Sequence, residues 1–281
     1  WLIFKMSLDE TAEVIVIGAG VVGCSIAYYL AHSGANVLLL ERDSIGSGAS
    51  GHATGSLSVL GSEFSNGASF ELALAGYREF IELVPRLEFE TDSELLYQRR
   101  PSLRLAIDDE EVTLIKDMMV WQSHYVDIKW IVGSEVRRIE PRLSPKIQGA
   151  VFEEESAQLD SYRFNIALAR GAEYYGAKLA LRNVTGLLKQ NSRVIGVRTE
   201  QGNMFADMVV VAAGASASLF GNWLDFPVPV KPLKGERLML RYHGSPLPVL
   251  ISSPMRGHMI SRMDGLLSVG STGGRDYEMI W

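Results

Sequence analysis

The chain has 281 residues, of which 47% are hydrophobic and 21% are charged, and its formal net charge is −6. This composition is typical of a folded globular protein and excludes an intrinsically disordered or fibrous chain. Because the net charge is negative and the basic residues are scattered, the sequence also argues against nucleic acid as a partner.

Cysteine and histidine usage limits the chemistry further. Cys24 is the single cysteine, so an intramolecular disulfide is excluded, and a reducing, cytoplasmic compartment fits best. The five histidines show no close metal-ligand spacing with it, and no metal is expected. The longest apolar runs are far shorter than the ~20 residues of a spanning helix, so no transmembrane segment is expected. Residues 1–6 are too short for a signal peptide, and we expect the chain to be incomplete at both ends.

The first elements predict a βαβ unit. The β-branched run Val14–Ile17 is typical of a buried parallel strand. A glycine-rich turn and a helix over Val21–His32 follow, and Asn36–Leu40 is predicted as a second buried strand that ends at Glu41. A strand, helix and strand within about thirty residues is the usual size of this unit.

A loop rich in glycine, serine and alanine then runs from Ser44 to Gly67, which allows its backbone to approach a ligand closely. Beyond it the spacing of apolar residues predicts three helices. They cover Phe70–Val84, where Pro85 is expected to end the helix, Glu111–Trp121, and a segment capped by Asp160 or Ser161 that runs to Tyr175.

Strand signals dominate the remainder of the chain. Three short segments separated by polar turns predict an antiparallel meander, which leads into a buried strand ending in small residues. A further strand and a hairpin that turns at Asp264-Gly265 follow. In chain order these segments are Asn183–Leu188, Val194–Thr199, Asn203–Met208, Val209–Gly214, Pro227–Arg241 and Arg256–Gly270.

The motif with the clearest chemistry is Gly18-x-Gly20-x-x-Gly23. It follows a predicted strand, opens a helix, and is followed 18 residues later by the acid Glu41, which are the contextual features of a dinucleotide-binding site. Gly18 allows the tight turn, Gly20 lets a pyrophosphate approach the helix N-terminus, and Gly23 permits close packing of helix on strand. Glu41 would bind the ribose hydroxyls and disfavours the 2′-phosphate of NADP, which leaves NAD and FAD open.

The meander followed by Val-Val-Val-Ala-Ala-Gly resembles the FAD-binding half of the D-amino-acid oxidase family, which includes glycine oxidase and sarcosine oxidase-like enzymes. The resemblance runs from about residue 12 to residue 274, and its motifs in this order are more specific than the glycine fingerprint alone. Those motifs are residues 16–23, 49–55, 194–199, 209–214, 262–265 and 270–272.

The resemblance implies an α/β fold, in which a Rossmann-like FAD-binding domain with a β-meander is interleaved with an α+β substrate domain built on an antiparallel sheet. We therefore expect a discontinuous FAD-binding domain at residues 10–85 and 150–222, and a substrate domain at 86–149 and 223–281. The family's C-terminal segment carries a carboxylate-binding Arg and the last flavin-contacting loop. It has no counterpart before Trp281, so we expect the substrate domain to be incomplete.

The resemblance also implies FAD as the cofactor. In this family the loop after the second strand wraps the flavin, a backbone position at the start of the meander meets the adenine end, and a small pair after the buried strand lets the chain pass close to the cofactor. The residues expected to bind FAD are therefore Gly18, Gly20, Gly23, Glu41, Arg42, Ala49, Ser50, Gly55, Ser56, Val184, Ala213 and Gly214.

The hairpin near the end resembles the family's substrate-side hairpin, in which a Tyr often precedes the hairpin glycine by seven residues. His258 holds that position here, and Arg256 is expected on the same face by strand alternation. We predict that Arg256 binds a substrate carboxylate and that His258 orients the amine; the alternative is that both are ordinary surface residues of the hairpin. Ser268 stands where sarcosine oxidase-like members carry a Lys linked to oxygen activation, which leaves oxidase and dehydrogenase open.

The resemblance therefore implies an enzyme that oxidises an amino acid or N-methyl amino acid by hydride transfer to flavin, giving an imine and then an oxo acid. Its partners would be a small amino-acid substrate and an electron acceptor, either oxygen or a carrier, and an oligomer is compatible with the sequence. Two alternatives stay open. One is a dehydrogenase of hydroxy acids or glycerol phosphate on the same fold, and the other is a non-catalytic flavin-binding subunit or fragment.

Overall fold

A computed structural model of the chain describes residues 11–60 and 64–273. Its strands are β1 (Thr11–Ile17), β2 (Val37–Glu41), β3 (Ser56–Leu57), β4 (Gln98–Arg99), β5 (Ser102–Ala106), β6 (Ile128–Val132), β7 (Gly149–Glu153), β8 (Ala157–Gln158), β9 (Lys178–Leu181), β10 (Val184–Gln190), β11 (Arg193–Thr199), β12 (Gly202–Val211), β13 (Gly235–Arg241), β14 (Leu250–Ser253), β15 (Gly257–Ser261) and β16 (Leu266–Gly273). Its α-helices are α1 (Val21–His32), α2 (Ala68–Thr91), α3 (Asp109–Gln122), α4 (Gly133–Ile139), α5 (Ser161–Tyr174) and α6 (Gly221–Leu224), and a 3₁₀ helix spans Gly214–Phe220.

The chain divides into two compact units. Of the described residues, the first contains 11–53, 86–95 and 161–232, and the second contains 54–60, 64–85, 96–160 and 233–273. Compared with the predicted domains, residues 54–85 and 150–160 fall in the second unit, and residues 86–95 and 223–232 in the first. The function assigned to each domain stays a prediction.

The first unit is built on a six-stranded sheet with the order β10-β11-β12-β1-β2-β9. β1 lies parallel to both β12 and β2, and Val16 is paired with Val210 on one side and with Leu39 on the other. β10, β11 and β12 are antiparallel neighbours. The predicted βαβ unit and meander are therefore confirmed. The segments predicted as separate strands at 203–208 and 209–214 form one strand, β12, which ends at Val211.

Apolar side chains of these strands form the core of the first unit. Ile15, Leu40 and Val197 are fully buried in one cluster. α1 and α5 pack together, and a Cβ on Gly171 of α5 would lie only 2.8 Å from the ring of Tyr28 on α1. Because β1 and β2 are parallel, the residues that follow them, including the glycine motif, lie at the same edge of the sheet.

The second unit is built on a seven-stranded sheet with the order β13-β16-β15-β14-β5-β7-β6. The predicted hairpin is confirmed as β15 and β16, which lie next to the edge strand β13, are antiparallel and turn at Gly265. The expected antiparallel sheet is correct for every pair but one, because β14 runs parallel to β5 with Leu250 opposite Ser102. A small sheet of two-residue strands, β3-β8-β4, completes the unit.

The prediction that Pro85 ends a helix is wrong. α2 continues through Pro85 to Thr91, although proline supplies no backbone N–H for the helix ladder. Leu83, Val84 and Leu87 around the proline are all buried. Tertiary packing of these apolar residues therefore outweighs the local cost of proline, which sequence spacing does not reveal.

The predicted strand Pro227–Arg241 is also shorter than expected, since β13 begins only at Gly235. Prolines at 227, 229 and 232 supply no ladder donors, which agrees with the absence of regular structure over 227–234. Within the described residues, no helix is long and apolar enough to cross a membrane.

Candidate functional site

The glycine motif forms a tight turn between β1 and α1. Gly18 has a φ of +103°, and a Cβ there would lie 2.5 Å from the carbonyl oxygen of Ala212 after β12. A Cβ on Gly23 would lie 1.8 Å from the carbonyl oxygen of Gly18. Only glycine fits at these two positions, so the turn and the start of α1 are in direct backbone contact.

The N-terminus of α1 has room for a negatively charged group. Its N-cap is Gly20, which offers no side chain to the free N–H groups of the first turn, and that turn contains no acid. Ser50, one of the predicted loop residues, accepts a hydrogen bond from the Val21 N–H at 2.9 Å. Ser50 is therefore brought directly to the end of the helix, where the helix dipole favours an anion.

Glu41 lies at the end of β2 and supports the same turn. One carboxylate oxygen accepts a hydrogen bond from the Ala19 N–H at 2.8 Å, and the other accepts one from the Asp43 N–H at 3.0 Å. Each oxygen keeps acceptor capacity for a ribose hydroxyl. Arg42 points elsewhere and forms an exposed ion pair with Asp43 at 3.1 Å.

Three further predicted residues lie in the first unit at the ends of the meander strands. Val184 begins β10 and is half-buried against the core of the sheet. Ala213 and Gly214 follow β12, where the Ala212 N–H donates to the carbonyl of Ile17 at 2.9 Å. Gly214 has a φ of +54°, and a Cβ there would meet no heavy atom within 4 Å.

The remaining loop residues are divided between the units. Ala49 belongs to the first unit and accepts a turn hydrogen bond from the His52 N–H at 3.2 Å. Gly55 and Ser56 belong to the second unit. Gly55 has a φ of +81°, and its carbonyl accepts from the Leu159 N–H at 2.9 Å. The positive φ of Gly55 and its close approach to Leu159 explain why this position is a glycine. Contact of Gly55 and Ser56 with FAD stays a prediction.

Asn165, on α5, supports the glycine turn and was not found from the sequence. It is fully buried, and its side-chain nitrogen donates to the carbonyl of Ala19 at 3.0 Å. The Gly46 N–H donates to the same carbonyl at 3.0 Å. The side-chain oxygen of Asn165 has no hydrogen-bond partner among the described residues. A polar amide on the buried face of an amphipathic helix was the available signal, but the sequence does not show what it would face.

Cys24 packs against the same turn. Its thiol is fully buried and lies 3.4 Å from the carbonyl oxygen of Ala19. Burial raises the pKa of Cys24 to about 12, so the thiol stays protonated and acts as a small packing residue.

Around His258, which the sequence predicts as a substrate residue, three polar residues meet on neighbouring strands of the second unit. His258 on β15 has its Nε2 3.3 Å from the hydroxyl of Ser268 on β16, and Arg237 on β13 donates to that same hydroxyl at 3.4 Å. Ser268 is fully buried. Burial, and to a smaller degree the charge of Arg237, lower the pKa of His258 from its ordinary value. His258 is therefore neutral at physiological pH. Sequence reasoning missed Arg237.

The expectation that Arg256 shares a strand face with His258 is wrong. β15 begins at Gly257, and Arg256 lies in the turn before it, so strand alternation does not apply. Its guanidinium forms an ion pair with Asp108 at 2.6 Å and lies 3.5 Å from the buried carboxylate of Glu111.

The geometry fits the dinucleotide part of a nucleotide cofactor. Gly18 and Gly23 fix a turn that admits no side chains, α1 presents an N-terminus without an acid, and the Glu41 carboxylate lies beside it. No group of three or more His, Cys, Asp or Glu side chains suited to a metal ion occurs in the part of the chain that the structure describes.

Comparison with known proteins gives a consistent result. The sequence profile of the family described as FAD dependent oxidoreductase matches residues 13–279. Glycine oxidase of Bacillus subtilis (strain 168) is 26% identical over 260 residues, which cover 92% of this chain and 69% of that protein. Mitochondrial dimethylglycine dehydrogenase of Rattus norvegicus is 30% identical over 268 residues. That match covers 92% of this chain but only 30% of the dehydrogenase.

Solved structures agree with these relatives. Glycine oxidase of Geobacillus kaustophilus has a TM-score of 0.88 at 26% identity, covering 96% of this chain and 74% of that chain. Glycine oxidase of Bacillus cereus has a TM-score of 0.84 at 29% identity, covering 93% and 73%. The predicted fold class is confirmed, and so is FAD as the cofactor.

Replacing Gly23 by alanine tests the turn. We expect Gly23→Ala to lower the free energy of unfolding by about 1–3 kcal/mol and to reduce the amount of FAD retained, because the new methyl group would displace the Gly18 carbonyl. Denaturant unfolding and the flavin absorbance per chain measure both effects. Gly76→Ala on α2 is the control, since its Cβ would meet no heavy atom within 4 Å. Equal flavin retention in the two variants would contradict the assigned role of Gly23.

Asn165→Ala tests the support of the turn from α5. We expect the free energy of unfolding to fall by about 1–3 kcal/mol and FAD binding to weaken, since the Ala19 carbonyl loses one of its donors. Asn183→Ala is the matched control, because the side chain of Asn183 donates a hydrogen bond to Glu200 at the surface. Denaturation of the cofactor-free proteins and fluorescence titration with FAD provide the measurements. If both variants behave alike, the buried amide does not support the turn.

Proposed function

The chain belongs to the family of FAD-dependent oxidoreductases, and we propose that it oxidises a small amino acid or N-methyl amino acid at the carbon bearing the nitrogen. The observation that carries this proposal is the likeness to glycine oxidases over nearly the whole chain, and the tight glycine turn at Gly18 and Gly23 agrees with it. The chain spans 30% of the dehydrogenase and 69% of the B. subtilis oxidase, so the proposal concerns the reaction of the protein that contains it.

The residues of the first unit hold the cofactor in this proposal. The N-terminus of α1 with Ser50 faces the pyrophosphate, and Glu41 accepts the ribose hydroxyls. The chemistry that FAD supplies when bound is acceptance of a hydride. The α carbon of the substrate loses that hydride and the nitrogen loses a proton to solvent, so that a carbon–nitrogen double bond, an imine, is formed. Water then hydrolyses the imine to an oxo acid, releasing ammonia or an amine.

His258 is proposed to orient the substrate amine. A neutral imidazole does not repel an amine or ammonium group, whereas an imidazolium would, and burial keeps the pKa of His258 low. The resemblance of the hairpin assigns the carboxylate to Arg256, but its guanidinium is paired with Asp108, which a substrate would have to displace. Both assignments rest on the resemblance of the hairpin and on the positions of these side chains.

Anaerobic reduction tests the reaction class. With FAD bound, we expect glycine, sarcosine or D-alanine to bleach the flavin absorption band of the purified protein, because each has a hydrogen on the carbon beside the nitrogen. Lactate and glycerol 3-phosphate are the comparison substrates. Bleaching by these alone would contradict the proposal, and so would no bleaching by any amine. Oxygen consumption against reduction of an artificial dye then distinguishes an oxidase from a dehydrogenase.

The pH dependence tests His258. We expect kcat/KM to fall as the pH is lowered through the pKa of His258, with the inflection below the ordinary value of about 6.5, because protonation places a second positive charge beside Arg237. His258→Gln should remove this acid inflection while keeping a polar side chain. A wild-type profile without an inflection below pH 6.5, or one unchanged in His258→Gln, would exclude this role.

A further inference from the structure

One row of residues crosses β13, β16 and β15, the three strands at one end of the seven-stranded sheet. Arg237 on β13 is paired with Gly270 on β16, and Gly270 is paired in turn with His258 on β15. Residues directly opposite one another in antiparallel strands share a face. Ser268 lies two residues from Gly270 and therefore on that face as well. Arg237, His258 and Ser268 are thus neighbours by register as well as by hydrogen bonding.

Arg237 differs from the nearby arginines in its charge balance. Arg262 is held by Asp160 at 2.7 Å and by Asp264 at 3.0 Å, and Arg256 is held by Asp108. No ion pair to Arg237 is formed by the residues that the structure describes. Within the same described residues, Arg237 donates a hydrogen bond to the neutral hydroxyl of Ser268. Arg237 is half-buried, so its charge is partly desolvated without a counter-charge in contact.

We propose that Arg237 binds the carboxylate of the substrate, with Ser268 holding the guanidinium in position beside His258. This inference rests on the proposed function, which supplies a substrate carrying both an amine and a carboxylate. A guanidinium has five donors and no acceptor, and one contact to Ser268 leaves others for a carboxylate. Arg237 thus takes the role that the sequence assigned to Arg256.

The electrostatics of the row agree with this assignment. Burial, followed by the neighbouring charge of Arg262, lowers the pKa of Arg237, and the charges of Asp160 and Asp264 offset this only in part. A carboxylate in contact would relieve that unfavourable interaction. The neutral imidazole of His258 on the same face leaves the amine end of the substrate without a repelling charge. The row therefore separates a site for an anion from a site for an amine.

Binding of a carboxylate without turnover provides the first test. Acetate is titrated into the FAD-bound protein, and its dissociation constant is read from the change in the flavin spectrum. We expect Arg237→Met to weaken acetate binding about 10- to 100-fold, the usual range for one charge-assisted contact, and Arg237→Lys to restore part of it. Arg241→Met, an exposed arginine of the same strand, is the matched control.

Turnover provides the second test. Sarcosine is compared with its uncharged amide in the wild type and in Arg237→Met. We expect kcat/KM to fall about 10- to 100-fold for the acid and less than about threefold for the amide. Equal losses for both compounds would show a structural effect and overturn the proposal, as would weaker acetate binding in Arg256→Met but not in Arg237→Met.

Different results would contradict the proposed function and the assignment of Arg237. If no amine reduces the flavin, the proposed function fails, while acetate titration still reports on Arg237. If amines are oxidised and Arg237→Met keeps full acetate affinity, only the assignment of Arg237 fails. Flavin content and melting temperature of each variant are measured alongside, and Arg237→Lys serves as the test variant if Arg237→Met does not fold.

Discussion

The cofactor site depends on how the backbone of one residue, Ala19, is held. Its N–H donates to the carboxylate of Glu41, and its carbonyl accepts from the Gly46 N–H and from the amide of Asn165. These partners come from the end of β2, from the loop that follows and from α5. The turn is therefore fixed on both sides before a ligand arrives, and binding does not require the backbone to be ordered first.

Much of the first unit could be predicted because its signals are local. The β-branched run of β1, the glycine spacing and the acid at Glu41 lie within about thirty residues, and each has a steric or electrostatic reason that holds without knowledge of the rest of the fold. Asn165 could not be found in this way, because it contacts Ala19 from 146 residues further along the chain. Only the packing of α5 on α1 brings the two together.

The surroundings of His258 were harder to predict because strand register decides which side chains meet there. A hairpin could be recognised from its turn, but Arg237 reaches the row of His258 only through the pairing of β13 with β16, which includes an irregularity between Glu236 and Arg237. A shift of one residue would turn Arg237 to the other face. The error at Arg256 concerns a strand boundary. The sequence predicts a strand that begins at Arg256, whereas β15 begins one residue later, at Gly257. The wrong prediction that Pro85 ends α2 has a different origin. The buried side chains around Pro85 compensate the local cost of a proline within a helix.

Because Arg237 and His258 share the hydroxyl of Ser268, a substitution at one of them affects the other. Arg237 and His258 do not contact each other by hydrogen bonds but meet on a single buried oxygen. When two residues depend on one intermediary, the energetic effects of replacing them are not additive. An altered residue at either position would change the hydrogen bond left for the other, so the order in which substitutions accumulate would matter. Substitutions at these three positions are therefore expected to be coupled in their effects on the stability of the row.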